Sequence, residues 1–539
     1  MNSKRWLKRV LLIAVLAAAA FLYYYIQLPA LNIHSQGFWG FLILLAILLV
    51  AVLRVLPLAR RAREYGETPD LRHDKPFRIG LMAVGALVVI FIVGSILSST
   101  IVNAKKYQQL LTVADGDFTS DIQEVDIHSV PLLDKDSATI LGNRKMGSLA
   151  DMVSQFEVAD DYTQINLNDV PVRVSPLKYA GFIKWFTNQS DGIPGYMRID
   201  MTTQNTELVR LDQPIRYSKG EYFNRNIYRH LRFQYPTYIF DNINFEIDDE
   251  GTPWWICPVK KYTIGLFGGQ TIGRVVLCNA QTGECQDLAV EDVPQWVDKV
   301  YSAELLTQFY DYYGTLKHGW LNSVLGQKDC LRTTDGYNYL AIDDDVWVYT
   351  GVTSVTSDQS IVGFVLMNQR TRETRFYTVT GAVESSAMGS AEGQVQDLGY
   401  TATFPLLLNI NNQPTYFLTL KDGSGLVKKY ALVNVQKYQI VAIGDTLEQC
   451  GENYRELMED NQIAGVAAEE SETTGKIAEI TPIVQDGNTH YYLELEGDDR
   501  LFDILVAENL QILQKDIGDR ITLRYTEGTE VCTVTEIEM

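Results

Sequence analysis

Three long runs of apolar residues stand within the first hundred residues of the 539-residue chain. They span residues 10–28, 38–53 and 79–97, and none of them contains a charged residue. A helix needs about 20 predominantly apolar residues to cross the hydrocarbon core of a bilayer. With their apolar flanks the three runs approach this length. The sequence therefore predicts a membrane anchor of three transmembrane helices over residues 1–104.

The basic residues predict which side of the membrane each segment occupies. Four Lys and Arg residues precede the first run and seven lie in the link 54–78, whereas the link 29–37 contains none. Cytoplasmic links are enriched in Lys and Arg. We therefore expect a cell-membrane protein whose N-terminus is cytoplasmic and whose residues after about 104 are extracytoplasmic. A cleaved signal peptide is the alternative for the first run, and it would leave two crossings with the same exported part.

The charge of the chain disfavours several classes of function. The formal net charge is −21, although the expected cytoplasmic segments are basic. An acidic exported part repels nucleic acid and anionic surfaces. The apolar runs carry no ionisable residue that could form an ion path, which disfavours a transporter. We expect membrane lipid to be contacted through the three helices, and no nucleic-acid partner.

All six cysteines lie in the expected exported part, where disulfides are permitted. Cys278 and Cys285 flank a predicted hairpin turn, 279–284, so their sulfur atoms are expected to face each other. Either a disulfide between them or two half-buried thiols fits this pattern. A zinc site needs a second matching pair of Cys or His close in sequence, so no metal site and no cofactor are predicted.

One local pattern returns along the exported part. A turn with proline leads into an aromatic and β-branched strand and then into a hairpin, beginning at 192–196, 251–255 and 412–416, with a looser copy from 345 to 378. The tetrapeptide Val-Lys-Lys-Tyr occurs at both 259–262 and 427–430. Helices are expected at 137–154, 219–231, 293–313, 382–396 and 447–460. Strands grouped with helices predict an α+β fold of several antiparallel-sheet-plus-helix modules.

The repeated unit resembles the PepSY family. The resemblance rests on the Gly-x-Pro-x-aromatic segment and the polar turn at 279–284, although Asn279 stands where an aspartate is common. It covers residues 240–313 best, 400–457 less well and 190–212 faintly. The resemblance implies exported modules that bind or restrain partners, including peptidases, in the bacterial envelope. It divides the exported part into a first α+β region, 105–235, a PepSY-like module, 236–318, and a second sheet-and-helix region, 319–458.

The last part of the chain predicts a small β-barrel. Residues 459–474 are rich in glutamate and small residues and indicate a solvated linker. Five short alternating strands with one helical insertion follow in residues 475–539, which is typical of an OB-like barrel. Because this segment is expected to be acidic and extracytoplasmic, it is interpreted as a protein-contact or spacer module.

Catalytic motifs receive little support from the sequence. Ser175 and Lys178 match Ser-x-x-Lys, but the partner motifs Ser-Asp-Asn and Lys-Thr-Gly are absent. Asp115, Asp117 and Asp121 begin a run of carboxylates at calcium-like spacing that lacks the glycine and glutamate of an EF-hand. The acidic groups 248–250 and 343–345 are interpreted as turn residues. No catalytic residue is therefore predicted.

A basic, aromatic-rich segment is the most unusual feature of the acidic exported part. Its candidate binding residues are Arg225, Tyr228, Arg229, Arg232 and Tyr235. Arginine forks and aromatic faces could receive a carboxylate, a phosphate or a sugar ring, or they could join neighbouring helices. The sequence favours a non-enzymatic binding, scaffold or regulatory protein that contacts an envelope protein or peptide. The alternative is an envelope hydrolase that acts on cell-wall peptides or glycans.

Overall fold

Four α-helices are described in residues 2–58 and 74–108, and we call them the membrane-proximal helices because two of them are candidate membrane spans. They are α1 (Asn2–Gln27), α2 (Gln36–Val50), α3 (Lys75–Leu97) and α4 (Thr100–Gln108). The computed structural model describes residues 2–58, 74–122, 124, 130–342, 344–461, 470–485, 488–498, 500–506, 509–526 and 531–538. The predictions for most of the basic link, for residues 126 and 343, and for the linker at 462–469 fall outside these ranges.

Among the described residues, two helices are long and apolar enough to cross a membrane. One is α2, which continues through a π-helical turn, Ala51–Val55, so that the helix runs from Gln36 to Leu58; the other is α3. Within α1 the segment Ile13–Gln27 is apolar and alone is shorter than about 20 residues, but the apolar run of the sequence begins before it, at Val10. The second and third expected crossings thus coincide with two helices of suitable length and composition, which are candidate membrane spans, and a crossing by α1 stays a prediction.

In the part of the chain that the structure describes, four sheets follow, and each contains the same antiparallel meander of four strands. The strands of these meanders are β3 (Thr163–Leu167), β4 (Val170–Tyr179), β5 (Ile193–Asp200) and β6 (Thr206–Ile215); β7 (Asn244–Ile247), β8 (Pro253–Ile264), β9 (Gly268–Asn279) and β10 (Cys285–Ala289); β12 (Asn338–Ile342), β13 (Asp345–Ser354), β14 (Ser357–Asn368) and β15 (Thr374–Tyr377); and β18 (Leu406–Ile410), β19 (Gln413–Lys421), β20 (Val427–Asn434) and β21 (Val441–Gly444). The shorter strands at their edges are β1 (Ala114–Asp115), β2 (Phe156–Val158), β11 (Leu331–Thr333), β16 (Gly381–Ala382) and β17 (Thr401–Ala402). The third sheet also has a parallel pair, β1 with β15.

The same turn closes the last hairpin of each meander. A side-chain oxygen of Asp200, Asn279, Asn368 or Asn434 accepts hydrogen bonds from the backbone N–H groups two and three residues later, at 2.8–3.0 Å. Asn and Asp favour turns because their short side chains can make these bonds. The repeat expected from the sequence is therefore present as four meanders that end in one type of turn.

Seven further α-helices accompany the sheets in the ranges that the structure describes. They are α5 (Phe118–Asp121), α6 (Lys135–Gly147), α7 (Phe182–Asn188), α8 (Ile227–Gln234), α9 (Ala303–Thr315), α10 (Glu384–Gln394) and α11 (Leu447–Asp460). The second sheet buries both of its faces. One face, with Trp255 and Cys278, packs against the first sheet, and the other, with Val275 and Leu277, packs against α9 and the third sheet. The α+β prediction is confirmed.

The C-terminal unit, residues 455–539, contains a closed five-stranded barrel. Its strands β22 (Glu470–Gln485), β23 (Asn488–Leu495), β24 (Leu501–Leu505), β25 (Arg520–Thr526) and β26 (Val531–Glu538) are arranged in the order β22-β23-β24-β26-β25, and a 3-10 turn, Leu510–Gln514, follows β24. Alternating apolar residues such as Leu493, Phe502 and Leu523 fill the interior. The prediction of a small terminal barrel is confirmed, and its OB-like relationship stays a prediction.

Two helix predictions were wrong at their N-terminal ends. The helix expected at 293–313 begins only at Ala303, because Ser302 caps it and its hydroxyl accepts from Leu305 N. The helix expected at 219–231 begins at Ile227 after the cap Asn226, and a 3-10 turn, Phe223–Arg225, precedes it. In both cases a polar N-cap sets the start of the helix, which the apolar pattern alone did not locate.

Candidate functional site

The candidate binding segment forms α8 and its two flanks. Ile227 and Leu231 on this short helix are fully buried in the core between the first two sheets. Asn226 caps the helix, and its side chain accepts from Arg229 N at 3.4 Å. Because Ile227 and Leu231 face the core, the other residues of α8 face away from it and lie beside the C-terminal end of α1.

Arg232 joins α8 to the end of α1. Its Nε donates to the carbonyl oxygen of Leu28 at 2.9 Å, and one terminal nitrogen donates to Tyr238 O at 2.6 Å. The residue is only 8% exposed, and burial lowers the pKa of its guanidinium group. The last carbonyl groups of a helix lack partners within the helix, and a cation near them is favourable.

Arg229 makes a second contact with the same helix end. Its Nε donates to Tyr25 O at 3.2 Å, and its guanidinium carbon lies 4.3 Å from the centre of the Tyr25 ring. Phe233 packs its ring against Tyr24 and Tyr25, with centroid distances of 5.8 and 6.0 Å. The two arginines thus attach the sheet-containing part of this unit to the membrane-proximal helices.

The other three candidate residues lie around this contact. Arg225 donates to the carbonyl oxygen of Gln189, and Tyr235 stacks on Tyr238 with ring centroids 5.0 Å apart. Tyr228 is exposed. The structure therefore gathers all five candidates along one segment, with Arg229 and Arg232 engaged by α1. Binding of an external ligand by these residues stays a prediction.

The tip of the β8–β9 hairpin makes a further contact with the membrane-proximal helices. Ser98, at the C-terminal end of α3, accepts hydrogen bonds on its hydroxyl oxygen from Leu266 N and Phe267 N at 2.9 and 3.1 Å. The Phe267 ring lies 5.2 Å from that of Phe91, and the Tyr107 hydroxyl donates to Ser98 O at 2.6 Å. This contact was not predicted from the sequence. The sequence feature that could have indicated it is a pair of large apolar residues, Leu266 and Phe267, between two glycines at a hairpin tip.

A histidine on α8 completes a group with the two candidate disulfide residues. Cys278 and Cys285 are direct partners on β9 and β10 and are free thiols in this structure. His230 reaches them from α8, and one ligand atom from each of the three residues lies within 4.8 Å of the others. Among the described residues this is the group of nitrogen and sulfur donors that could hold a metal ion. The disulfide stays a prediction, and the histidine was not foreseen.

The two thiols occupy different electrostatic environments. The hydrogen bond from Cys278 has the largest effect on the pKa of Cys285. Together with the hydrogen bond to His230 it outweighs the opposing effect of burial and lowers the pKa of Cys285 to about 6. The same Cys278–Cys285 bond, with burial, raises the pKa of Cys278. Burial lowers the pKa of His230, but its bonds to Cys285 and to Gly283 O dominate and raise it. Cys285 is thus the more reactive of the two sulfurs.

An exposed apolar surface lies on α7 and the loop that precedes α8. We call it the aromatic patch, and its members are Phe182, Ile183, Phe186, Tyr222 and Phe223, which are 52%, 75%, 64%, 38% and 57% exposed. The buried Trp185 ring supports it from below, with centroid distances of 4.9–6.5 Å to the four aromatic rings. Glu221 orients that indole by accepting from Nε1 at 2.6 Å.

Ser175 and Lys178 do not form the arrangement that their motif requires. Both lie on β4, where residues three apart point to opposite faces of the sheet. Ser175 is fully buried and donates to Ala159 O at 2.6 Å, whereas the Lys178 ammonium group lies 3.6 Å from Asp160. Lys178 lines a cleft of about 280 Å³ whose lining residues do not include Ser175. This strand geometry does not bring the lysine to the serine hydroxyl.

The acidic groups considered in the sequence have partners within the protein. Asp117 caps α5, Asp121 accepts from the Tyr377 hydroxyl at 3.1 Å, and Glu124 accepts from Asn411 N at 3.1 Å. Asp248 accepts from Thr252 N and from the Trp254 indole, as a turn residue does. Asp117 and Asp248 thus act in capping and turn formation, whereas Asp121 and Glu124 bind groups that are distant in the sequence.

A buried acidic pair lies where the second sheet meets the loop before α9. Glu246 is fully buried, and its two carboxylate oxygens accept from Asp298 N at 3.0 Å and Lys299 N at 3.1 Å. Burial raises the pKa of Glu246 to about 7. Burial and the charge of Glu246 also raise the pKa of Asp298. Neither residue was singled out from the sequence.

Comparison with known proteins assigns no family to the chain. No family model matches it, and no curated protein matches it. One solved structure, the N-terminal domain of Nup159, is similar over 78% of this chain and 84% of that chain, at 6% identity and a TM-score of 0.14. A likeness at this level carries no argument about fold or function.

Proposed function

We propose that the chain is a membrane-anchored, extracytoplasmic protein of the bacterial cell envelope that binds another envelope protein or peptide and is not an enzyme. In this proposal α1, α2 and α3 all cross the membrane, and the basic N-terminus lies in the cytoplasm because Lys and Arg accumulate on that side. The four meanders and the barrel then lie outside the cytoplasm. The PepSY resemblance and the OB-like barrel fit such a binding role and belong to the same proposal.

The aromatic patch carries the proposal. Contiguous exposed apolar surface on a soluble region marks an interaction site, because water solvates it poorly. Aromatic residues also dominate the energetic centres of protein interfaces. Ile183, the most exposed member, and Phe186 project from α7, while the buried Trp185 holds the rings in place. The patch is thus a preformed and rigid contact surface.

An apolar segment of a protein is the occupant that we propose for the patch. The net charge of −21 disfavours approach to an anionic lipid surface. A partner peptide that inserts a large apolar side chain between Phe186 and Phe223 would gain roughly 2 kcal/mol per buried side chain. Lys184 on the same helix favours a partner with an acidic group at its edge.

Photocrosslinking in intact cells tests the proposal. A photoreactive phenylalanine analogue is placed at Phe186, and the matched control carries it at Leu398, which is similarly exposed at 51% on another part of the chain. We expect one discrete crosslinked polypeptide from position 186 that is absent from position 398. Ile183→Ser in the same background should reduce its yield.

Two outcomes would count against the proposal. Crosslinks to lipid alone from position 186 would assign the patch to the membrane surface. Equal labelling from positions 186 and 398 would show that the patch has no specific partner. Hydrolysis of cell-wall material by the purified full chain would instead support the enzymatic alternative.

A further inference from the structure

Three donor groups from three separate segments converge beside the β9–β10 turn. Cys278 is the last residue but one of β9, Cys285 begins β10, and His230 comes from the middle of α8. All three lie around one backbone oxygen: Gly283 O is 2.7 Å from His230 Nε2, 3.8 Å from Cys278 Sγ and 3.6 Å from Cys285 Sγ. We propose that His230, Cys278 and Cys285 bind a zinc ion.

The donor set matches zinc in chemistry. Thiolate sulfur and imidazole nitrogen are the preferred ligands of Zn²⁺, whereas Ca²⁺ and Mg²⁺ require oxygen ligands. No carboxylate is among the three donors of this group. Two Cys with one His is also a known set of three protein ligands for a zinc that keeps a fourth position for water.

The donor spacing matches zinc in geometry. Zn–S bonds of about 2.3 Å and Zn–N bonds of about 2.0 Å place tetrahedral sulfur atoms about 3.8 Å apart, and sulfur and nitrogen about 3.5 Å apart. The three donor atoms already lie within 4.8 Å of one another, so contractions of at most about 1.0 Å between the sulfurs and about 1.3 Å between sulfur and nitrogen complete the site. The two sulfurs are held on neighbouring strands of a regular hairpin, which limits their movement.

The surroundings leave one side of the group accessible. Cys278 is fully buried, whereas His230 and Cys285 are partly exposed. The Tyr217 ring lies 4.4 Å from the His230 ring and covers one of its sides. A zinc ion can therefore enter from solvent and retain a water molecule as its fourth ligand.

The proposed ion would connect α8 to the second sheet. His230 follows Arg229, and α8 also carries Arg232; both arginines bind the end of α1. The zinc would fix α8, which joins the second sheet to the end of α1. The first consequence of zinc binding would therefore be structural. A disulfide between Cys278 and Cys285 would exclude the ion, because it removes both thiolates.

Cobalt substitution tests the site. The full chain, purified in detergent and reduced with a phosphine, is titrated with Co²⁺ under anaerobic conditions. We expect the near-ultraviolet thiolate-to-cobalt charge-transfer band and the visible bands of tetrahedral Co²⁺, saturating at one ion per chain. Added Zn²⁺ should abolish them. Cys285→Ser should remove the charge-transfer band or most of its intensity, and His230→Gln should weaken Zn²⁺ affinity by about 100-fold or more.

Two controls keep the result interpretable. Cys330→Ser and His318→Gln change a thiol and an imidazole elsewhere in the chain, and they should leave the titration unchanged. Stabilisation of the wild-type chain by Zn²⁺ in thermal unfolding, absent in His230→Gln, should accompany binding and show that this variant folds.

Three results would overturn the proposal. The first is a reduced wild-type chain without a charge-transfer band, and the second is a His230→Gln variant that binds Zn²⁺ as tightly as the wild type. The third is a Cys278–Cys285 disulfide found in all chains that are alkylated directly in intact cells.

Discussion

Arg232 Nε donates a hydrogen bond of 2.9 Å to the carbonyl oxygen of Leu28, so a buried guanidinium group closes the C-terminal end of α1. The same side chain also donates to the carbonyl oxygens of Tyr235, Pro236 and Tyr238. One residue thereby holds the end of α1, the end of α8 and the loop that follows α8. This arrangement makes Arg232 the residue on which the junction depends most.

Replacing Arg232 with methionine should destabilise the junction by about 3 kcal/mol. The apolar stem is retained, but buried carbonyl groups lose a charged donor, and each such hydrogen bond contributes about 1.5–3 kcal/mol. Thermal unfolding of the full chain in detergent measures the change. Arg210→Ala is the control, because its ion pair with Asp151 is more than half exposed and should contribute less than about 1 kcal/mol. Equal losses in the two variants would contradict this interpretation.

Replacing Ser98 with alanine should loosen the β8–β9 tip. The hydroxyl oxygen is the acceptor for Leu266 N and Phe267 N, so these amides lose their partner. A cost of about 1.4 kcal/mol or more corresponds to at least tenfold faster hydrogen exchange at both positions. Mass spectrometry of peptides that cover the tip measures the exchange rate. Ser99→Ala removes a neighbouring exposed hydroxyl that bonds only to Ile96 O, and it should leave the tip unchanged.

Glu246 should make the chain less stable as the pH rises from about 4.5 to about 7. Burial raises its pKa from 4.5 to about 7 in the folded chain, so over this range the unfolded state releases a proton that the folded state keeps. Raising the pH therefore favours unfolding, by at most about 1.4 kcal/mol per pH unit from this group. Above the pKa of Glu246 in the folded chain, this contribution to stability is lost completely.

The comparison of wild type with Glu246→Gln isolates this contribution. The variant loses one of the two accepted hydrogen bonds, so we expect it to be less stable than wild type at pH 5. By pH 8 the difference should disappear, because only the wild type loses stability as Glu246 ionises. Denaturant unfolding at a series of pH values measures the difference. Glu284→Gln, in an exposed turn, is the control position. A constant difference between wild type and Glu246→Gln at all pH values would show that Glu246 does not titrate in this range.

Gly389→Ala should stabilise the chain by about 0.5–1 kcal/mol. Gly389 lies in the interior of α10, and a Cβ atom there would meet no atom within 4 Å. Alanine favours the helix because it lowers the entropy of the unfolded chain. Gly363→Ala should do the opposite, because its Cβ would collide with the backbone oxygen of Tyr377. Thermal unfolding of the two variants measures both changes in stability, which should have opposite signs.

Local signals in the sequence were sufficient for the barrel and for most hairpins. Alternating apolar residues predicted five strands in residues 475–539, and five barrel strands are described, although β22 begins before this segment, at Glu470. The turn at 279–284 was predicted correctly because Asn and Gly have conformational preferences that act over only a few residues. The helix at 447–460 has the predicted bounds, since its apolar face repeats with the helical period.

Contacts between distant segments were not accessible to this reasoning. The sequence identified Arg229 and Arg232 as unusual, but it gave no indication that their partners were main-chain oxygens at the end of α1. His230 attracted no attention because a lone histidine has no spacing that marks it as a ligand. Only the packing of α8 on the second sheet brings it to Cys278 and Cys285.

The acceptor that Leu28 offers to Arg232 is part of the main chain, so every amino acid at position 28 provides it. An alanine scan along this stretch would therefore overlook the attachment, whereas a scan of α8 would find it at once. The requirement for a donor therefore rests on the side chain at position 232, whereas its acceptor at position 28 is independent of side-chain identity.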